Sequence, residues 1–518
     1  MEYSDKCILD KASEMRRVVI PLDVYSTHKS GVVDVAFDFF LKAKPLLQQI
    51  GRDFIEGFSR FSFKGKEEVV WKLKVRDVYC ELVFFLYAMV VKNLILKEGF
   101  VPMVSDENKI LKALLEKKCA RLLPFLYSHV DERFFERFKR TLKNLYFSIN
   151  KRKYFQIGSN SLLDSFKDKI GVNPNILNFI PKSYLVGMKE IPKRQNELSD
   201  GIISYFDSFC NNYGIRLEEL ELKYLRRVVK YHISSAFYDI GFAFSKVKKW
   251  YTLITGTSGK YVTRLLSYYF KREGASVLRF DHGGERSFFE DKWWGISEFI
   301  FLDEFVTFGN GHIKCIQKHI RNGSYLLLEK GFHINSVRDN SYWEINLRYK
   351  GKIPRGKKVM IVLPALLRER VLIGYGCPDV MALAVIVKVI RIFKERGFYV
   401  ILKKHPKSPF TFMGNLFNGI VDEIDSGAFV ESLLKADYFV FFYAGTAFCE
   451  ALFSMKPIML IDMGFRDWDE EVKDKLSDVC MIVDFDKITH RNIDEFLKIG
   501  YEEYKSKREE FLNNFFRD

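Results

Sequence analysis

Between Lys358 and Asp462, apolar runs of strand length alternate with segments of helical period, and nothing else in the chain restricts its fold so tightly. KVMIVLP (358–364), FYVILKKHP (398–406), DYFVFFY (437–443) and KPIMLID (456–462) read as strands. VMALAVIVKVIRIFKERG (380–397), FVESLLKA (429–436) and GTAFCEALFSM (445–455) read as the helices between them. A helix between two strands carries the chain back across the sheet, so the strands pair in parallel through right-handed crossovers. The expected fold class is therefore α/β, with a doubly wound sheet here and its ligands at the carboxyl ends of the strands.

A second unit of this kind starts at Trp250. WYTLITG (250–256) is a strand, SGKYVTRLLSYYFKREG (258–274) an amphipathic helix closed by Gly274, and ASVLRF (275–280) another strand. Two Rossmann-like units face each other across a cleft. KGKIPRGKK (350–358) is polar, carries Gly and Pro, and suits a linker. The expected boundaries are 1–349 for an N-terminal domain, 350–358 for the linker and 359–518 for a C-terminal domain. Within the first, 33–249 reads as mainly helical, with clear periodicity over 33–50, 78–96 and 132–149, and 250–349 as the Rossmann-like part. RRVVIPL (16–22) reads as a short first strand, and YEEYKSKREEFLNNFFRD (501–518) as a charged terminal helix packing back on the body.

Composition then narrows the function classes. Apolar residues make up 48% of the 518 and charged residues 29%, enough for a core and too apolar for disorder. Lys and Arg number 82 against 66 Asp and Glu, giving +16 and favouring an anionic partner: nucleic acid, an anionic membrane face or a phosphorylated substrate. The basic residues are spread along the chain and form no recognised nucleic-acid motif, which argues against nucleic acid. The eight cysteines stand apart, so neither a disulfide framework nor a zinc site is expected, and a reducing cytosol fits. The N-terminal residues carry charge throughout, unlike a signal peptide. The apolar runs Leu82–Val91 and Tyr438–Cys449 fall short of the roughly 20 residues that span a bilayer. The expectation is a cytoplasmic protein, with peripheral attachment to the inner face of the cytoplasmic membrane as the alternative that its basic charge leaves open.

Four strand ends carry chemistry. TGTSGK (255–260) opens a helix and lacks the spacing of a Walker A loop; it is either a tight turn capped by Ser258 or Thr257, or an anion site involving Ser258. In FDHGGERSF (280–288), Asp281 and His282 are competent for proton transfer, while Gly283 and Gly284 let a ligand approach the backbone. In LKKHP (402–406), Pro406 stops the strand and fixes His405, and Lys404 adds a charge suited to phosphate. In FFYAGTAFCEAL (441–452) a helix opens at Gly445 and Thr446, offering free N–H groups and a hydroxyl to an anion, with Glu450 one turn on.

His405-Pro406, Gly445-Thr446 and Asp281 together resemble the GT-B glycosyltransferases of bacterial surface polysaccharides, in the His-Pro group that includes sialyltransferases and Kdo transferases. The resemblance covers about 250–465. It implies a GT-B-like pair of Rossmann-like domains, with the donor on the C-terminal domain and the glycan or glycolipid acceptor on the N-terminal one. It implies Asp281 as the acceptor-side carboxylate, His405 at the leaving phosphate, and Thr446 as the hydroxyl that binds it. Glu285 and Glu290 are the next carboxylates in line. His282 stands where the group has a second acid, and Gly445-Thr446 replaces a serine pair, which leaves room for Kdo or another ulosonic acid. The expected reaction moves an ulosonic acid from a CMP-sugar to a capsule or lipopolysaccharide glycan, with no metal and no cofactor. The alternatives are a CDP-polyol phosphotransferase of teichoic acid-like synthesis and, outside enzymes, a basic nucleic-acid-binding protein.

Overall fold

The computed structural model describes residues 19–21, 30–58, 60–99, 101–103, 153–177, 179–186, 197–241, 247–349, 356–365, 372–373, 377–406, 417–499 and 501–517. Their strands are β1 Val19–Pro21, β2 Val101–Met103, β3 Tyr154–Ile157, β4 Asn175–Ile176, β5 Thr252–Thr255, β6 Ser276–Phe280, β7 Glu304–Thr307, β8 His333–Ser336, β9 Lys358–Val362, β10 Leu372–Ile373, β11 Cys377–Pro378, β12 Tyr399–Lys403, β13 Glu423–Asp425, β14 Tyr438–Phe441, β15 Ile458–Asp462 and β16 Met481–Asp484. β1 pairs with β2, and β10 with β11, as small ribbons. The rest form two six-stranded parallel sheets, ordered β4-β3-β5-β6-β7-β8 and β13-β12-β9-β14-β15-β16.

Counted along the chain, the second sheet has the order 3-2-1-4-5-6 of dinucleotide-binding folds, and the first begins 2-1-3 like flavodoxin-type sheets. The strand order reverses between β9 and β14 in one and between β3 and β5 in the other, and ligands of such sheets lie outside those points. The expected pair of Rossmann-like domains, with a large helical part in the N-terminal half, is the architecture observed. Val359, Met360, Ile361, Phe439 and Val440 are wholly buried because helices cover both faces of the sheet.

The structure adds three points about organisation. The first sheet begins at β3 and β4, inside the stretch read as helical; strands of four and two residues are too short to impose a period on the sequence. The helix Ser30–Phe58 packs not only on Gly65–Lys97 but also on Asp379–Glu395, so the N-terminal half embraces the second sheet. Gln48 reaches the Gly464 carbonyl at 3.3 Å, and Lys44 lies over the Phe485 ring. The helix Gly65–Lys97 is long and apolar enough to cross a membrane, and most of that stretch is buried inside the fold. Of the remaining expectations, the helix at 132–149 and most of the linker, 350–355, lie outside the described residues; Lys358 already belongs to β9.

The two units meet along one line. Phe289 and Trp468 form an antiparallel bridge, flanked by Glu290 N–H to the Asp467 carbonyl and Asp469 N–H to the Phe288 carbonyl, both 2.9 Å. The last helix, Tyr501–Phe516, crosses from the second unit onto the helix Asn310–Arg321 of the first. Its Arg508 is fully buried and donates to the carbonyls of Lys456 (2.7 Å) and Val479 (3.0 Å), which gives its buried donors partners.

Candidate active site

The loop after β6 is built around a buried charge. The Asp281 carboxylate is fully buried and accepts from Thr307 Oγ1 (3.0 Å), from His282 N–H (2.7 Å) and from the Arg286 guanidinium. Arg286 also donates to Glu298 at 3.1 Å. A buried carboxylate persists only with its charge and lone pairs answered, and these partners answer them. Asp281, expected from the sequence as the acceptor-side carboxylate, thus holds the loop in shape through these partners.

Ser258 is also engaged inside the fold. It is fully buried, its N–H donates to Glu298 Oε2 at 2.9 Å and its hydroxyl reaches the Ser297 carbonyl, so an internal carboxylate already occupies this helix start. Thr257 joins the same carboxylate at 2.8 Å.

Gly283 and Gly284 have φ of 88° and 82°, a conformation that favours glycine. A side chain at Gly283 would collide with Thr446 Oγ1 and Glu285 Oε2, and one at Gly284 would sit 3.0 Å from the Phe516 ring. From the sequence the two glycines are expected to let a ligand approach the backbone. The other unit's helix and the crossing C-terminal helix lie close against them. His282, between them and Asp281, is exposed.

Glu285 is the acid this loop leaves available. It is buried, and its Oε2 has no hydrogen-bond partner among the described residues. Burial pushes its carboxyl up to about 8; the charges of Asp281 and Glu298 push the same way and Arg286 opposes. It faces Thr446, the first residue of the helix Thr446–Phe453, which Gly445 opens at the end of β14. One turn further, half-buried Glu450 is raised to about 7 by burial and by Asp339, against Lys403. Asp339 itself caps the helix Asn340–Tyr349 through Oδ1, 2.8 Å from Ser341 N–H, while its buried Oδ2 has no partner among the described residues. The Tyr342 hydroxyl donates to the Gly283 carbonyl at 3.1 Å and lies within the field of Glu285, Asp339 and Glu450. Three acids from three elements thus surround one tyrosine where the units meet.

Sequence reasoning missed Asp339 and Tyr342. Asp-Asn-Ser before an apolar period is a helix-start signal, but it says nothing of which strand ends it will face.

On the other side of β9, Lys403 is buried and committed to Asp425 (2.8 Å), Ser432 (2.8 Å) and the Gly427 carbonyl. Lys404 and His405 follow it, half-buried, and Pro406 is exposed. β12 and β14 both border β9, so the ends carrying His405 and Thr446 are two strand spacings apart, about 10 Å. The structure thus brings Gly283, Glu285, Thr446 and Glu450 together, with His405 and Lys404 at the same sheet edge.

For metals, Glu290, His319 and Asp469 place ligand atoms within 4.8 Å of one another. Lys318 lies 2.9 Å from Asp469 and supplies a cation there, so this trio reads as part of the ion network clamping the units.

No protein-family model and no curated protein matches the chain. Solved structures that match the chain include the glycosyltransferase of kitacinnamycin, at 9% identity and a TM-score of 0.35, over 70% of this chain and 94% of that one. The glycosyltransferase SnogD from Streptomyces nogalater matches at 10% identity and 0.34, over 69% and 94%. KpsC of Thermosulfurimonas dismutans, a beta Kdo 2,7 transferase, matches at 13% identity and 0.23, over 70% and 99%.

Proposed function

We propose that the chain is a glycosyltransferase that moves an ulosonic acid, Kdo or a sialic acid-like sugar, from a CMP-sugar to a bacterial surface glycan. The observation that carries the reading is Glu285: a buried carboxyl near neutral pKa, with one oxygen unpartnered, set against a helix start at the strand-order reversal of a dinucleotide-type sheet.

In this reading the CMP phosphate sits at the N–H groups of the Thr446 helix, whose dipole favours an anion. Glu450, one turn on, meets a ribose hydroxyl. The acceptor oxygen attacks the anomeric carbon, its proton passes to the Glu285 carboxylate, and the bond from that carbon to the CMP oxygen breaks. Charge then collects on the CMP phosphate, where His405 and the helix N–H groups receive it. A base with a pKa near the working pH suits this step.

Melting-temperature shifts with CMP, CDP, UDP and GDP test the donor, since a ligand of the folded state stabilises it. CMP is expected to shift it most. A shift with UDP alone, or equal shifts with all four, would sink the CMP-sugar reading, and a preference for CDP would favour polyol-phosphate transfer instead. Glu285→Gln is expected to retain the CMP shift and lose transfer from CMP-Kdo or CMP-sialic acid. Thr446→Ala is expected to weaken CMP by about 1 kcal/mol, because the helix N–H groups remain.

A further inference from the structure

We propose that the helix Asn310–Arg321 and the concavities on either side of it form the face that docks on an anionic lipid bilayer. A cavity of about 690 Å³ lies between the last turn of this helix and β8, the edge strand of the first sheet. Ile320, Leu327, Phe332 and Ile334 floor it, Arg321, Lys330 and His333 stand at it, and among the described residues no acidic one lines it. On the other flank of the helix a cavity of about 750 Å³ reaches the C-terminal helix, with Phe511 and Phe515 in its wall. Arg321 lines both cavities.

The charges around them are unevenly spent. In the larger cavity Glu471 is taken by Lys318 and Lys475, and Asp478 by Lys507, leaving Glu510 as its acid outside an ion pair. Lys314, Arg321 and Lys330 make no ion pair among the described residues, and all three are exposed. Unpaired cations over a half-buried apolar floor match a phosphate headgroup whose first acyl carbons need cover. A free phosphate would gain nothing from Leu327, Phe332 and Ile334. Two such concavities along one helix also suit a surface that presents many headgroups better than one small ligand. The proposal stands apart from the transferase reading, because it needs binding alone.

Flotation of the full chain with phosphatidylcholine vesicles, and with vesicles of phosphatidylcholine and phosphatidylglycerol in equal parts, tests it. Binding is expected only to the second, and is expected to weaken with salt. The double variant Arg321→Gln, Lys330→Gln is expected to bind about 25-fold more weakly, a factor of about five for each basic residue lost at an anionic surface. Lys487→Gln, Arg491→Gln removes the same charge from exposed positions elsewhere and is expected to bind like the parent. Circular dichroism of both variants checks that they fold. Equal binding to both vesicle types, no binding to either, or equal losses in both variants would each overturn the assignment. So would capture by polyglutamate without vesicle binding, which would point to an acidic protein instead.

Discussion

Glu285 is both a chemical group and a strain on the fold. Its carboxyl rises from 4.5 to about 8 in the folded chain, so the folded state holds this proton more tightly than the unfolded one. The stability linked to it is present in full below 4.5 and is lost as pH climbs through about 8, by at most about 1.4 kcal/mol per pH unit. Glu285→Gln, an amide with no proton to lose, is expected to melt with a flatter pH dependence. Its advantage over the parent should grow between pH 5 and 8, and parallel curves would show that Glu285 ionises freely. Gly283 gives the second expectation at this scale. Alanine there meets Thr446 and Glu285 in a left-handed backbone, and about 2 kcal/mol of stability should go, read by urea unfolding. That Asp281, His405 and Thr446 follow the ends of strands was legible, because Pro406 and the glycines interrupt apolar runs. That Asp281 is spent on Arg286, and Ser258 on Glu298, was not. Glu298 lies 40 residues from Ser258 in sequence, and only the fold brings the two together.

At the scale of elements, legibility followed length and burial. β9, β12, β14 and β15 have four or five residues, almost all buried, and stood out as apolar runs. β8 reads HINS, with alternate residues exposed, as an edge strand permits, and two-residue β4 carries no pattern at all. The C-terminal helix was expected to pack back on the body, but not which surface it would join. Its Phe516 touches His312, Phe308 and Tyr342 of the first unit and Phe453 of the second. Phe516→Ala should therefore cost about 3–5 kcal/mol, as for a fully buried aromatic, with the loss visible in guanidinium unfolding. A cost under 1 kcal/mol would mean that the helix end is not fixed at this junction.

At the scale of the whole molecule, the two sheets are not independent bodies. Phe280, Phe288 and Val306 of the first share one buried cluster with Met360, Ile401, Phe439 and Leu460 of the second. The Phe289–Trp468 bridge and the Lys318–Asp469 and Arg466–Asp291 pairs add polar contacts along the same line. A single unfolding transition is expected in calorimetry, with calorimetric and van't Hoff enthalpies in agreement, whereas separate domains would give two.

The crossing of the Tyr501–Phe516 helix also bears on how the molecule is made. A ribosome delivers this helix after every other described element, while the surface it covers around Gly309 and Gly311 was translated some 200 residues earlier. At 5–20 residues per second, the first unit waits roughly 10–40 seconds with that surface bare. The early half can collapse during translation, but it cannot reach its final packing until this helix has been made. A premature stop a few codons short of this helix would thus leave an otherwise intact first unit as a client for chaperones.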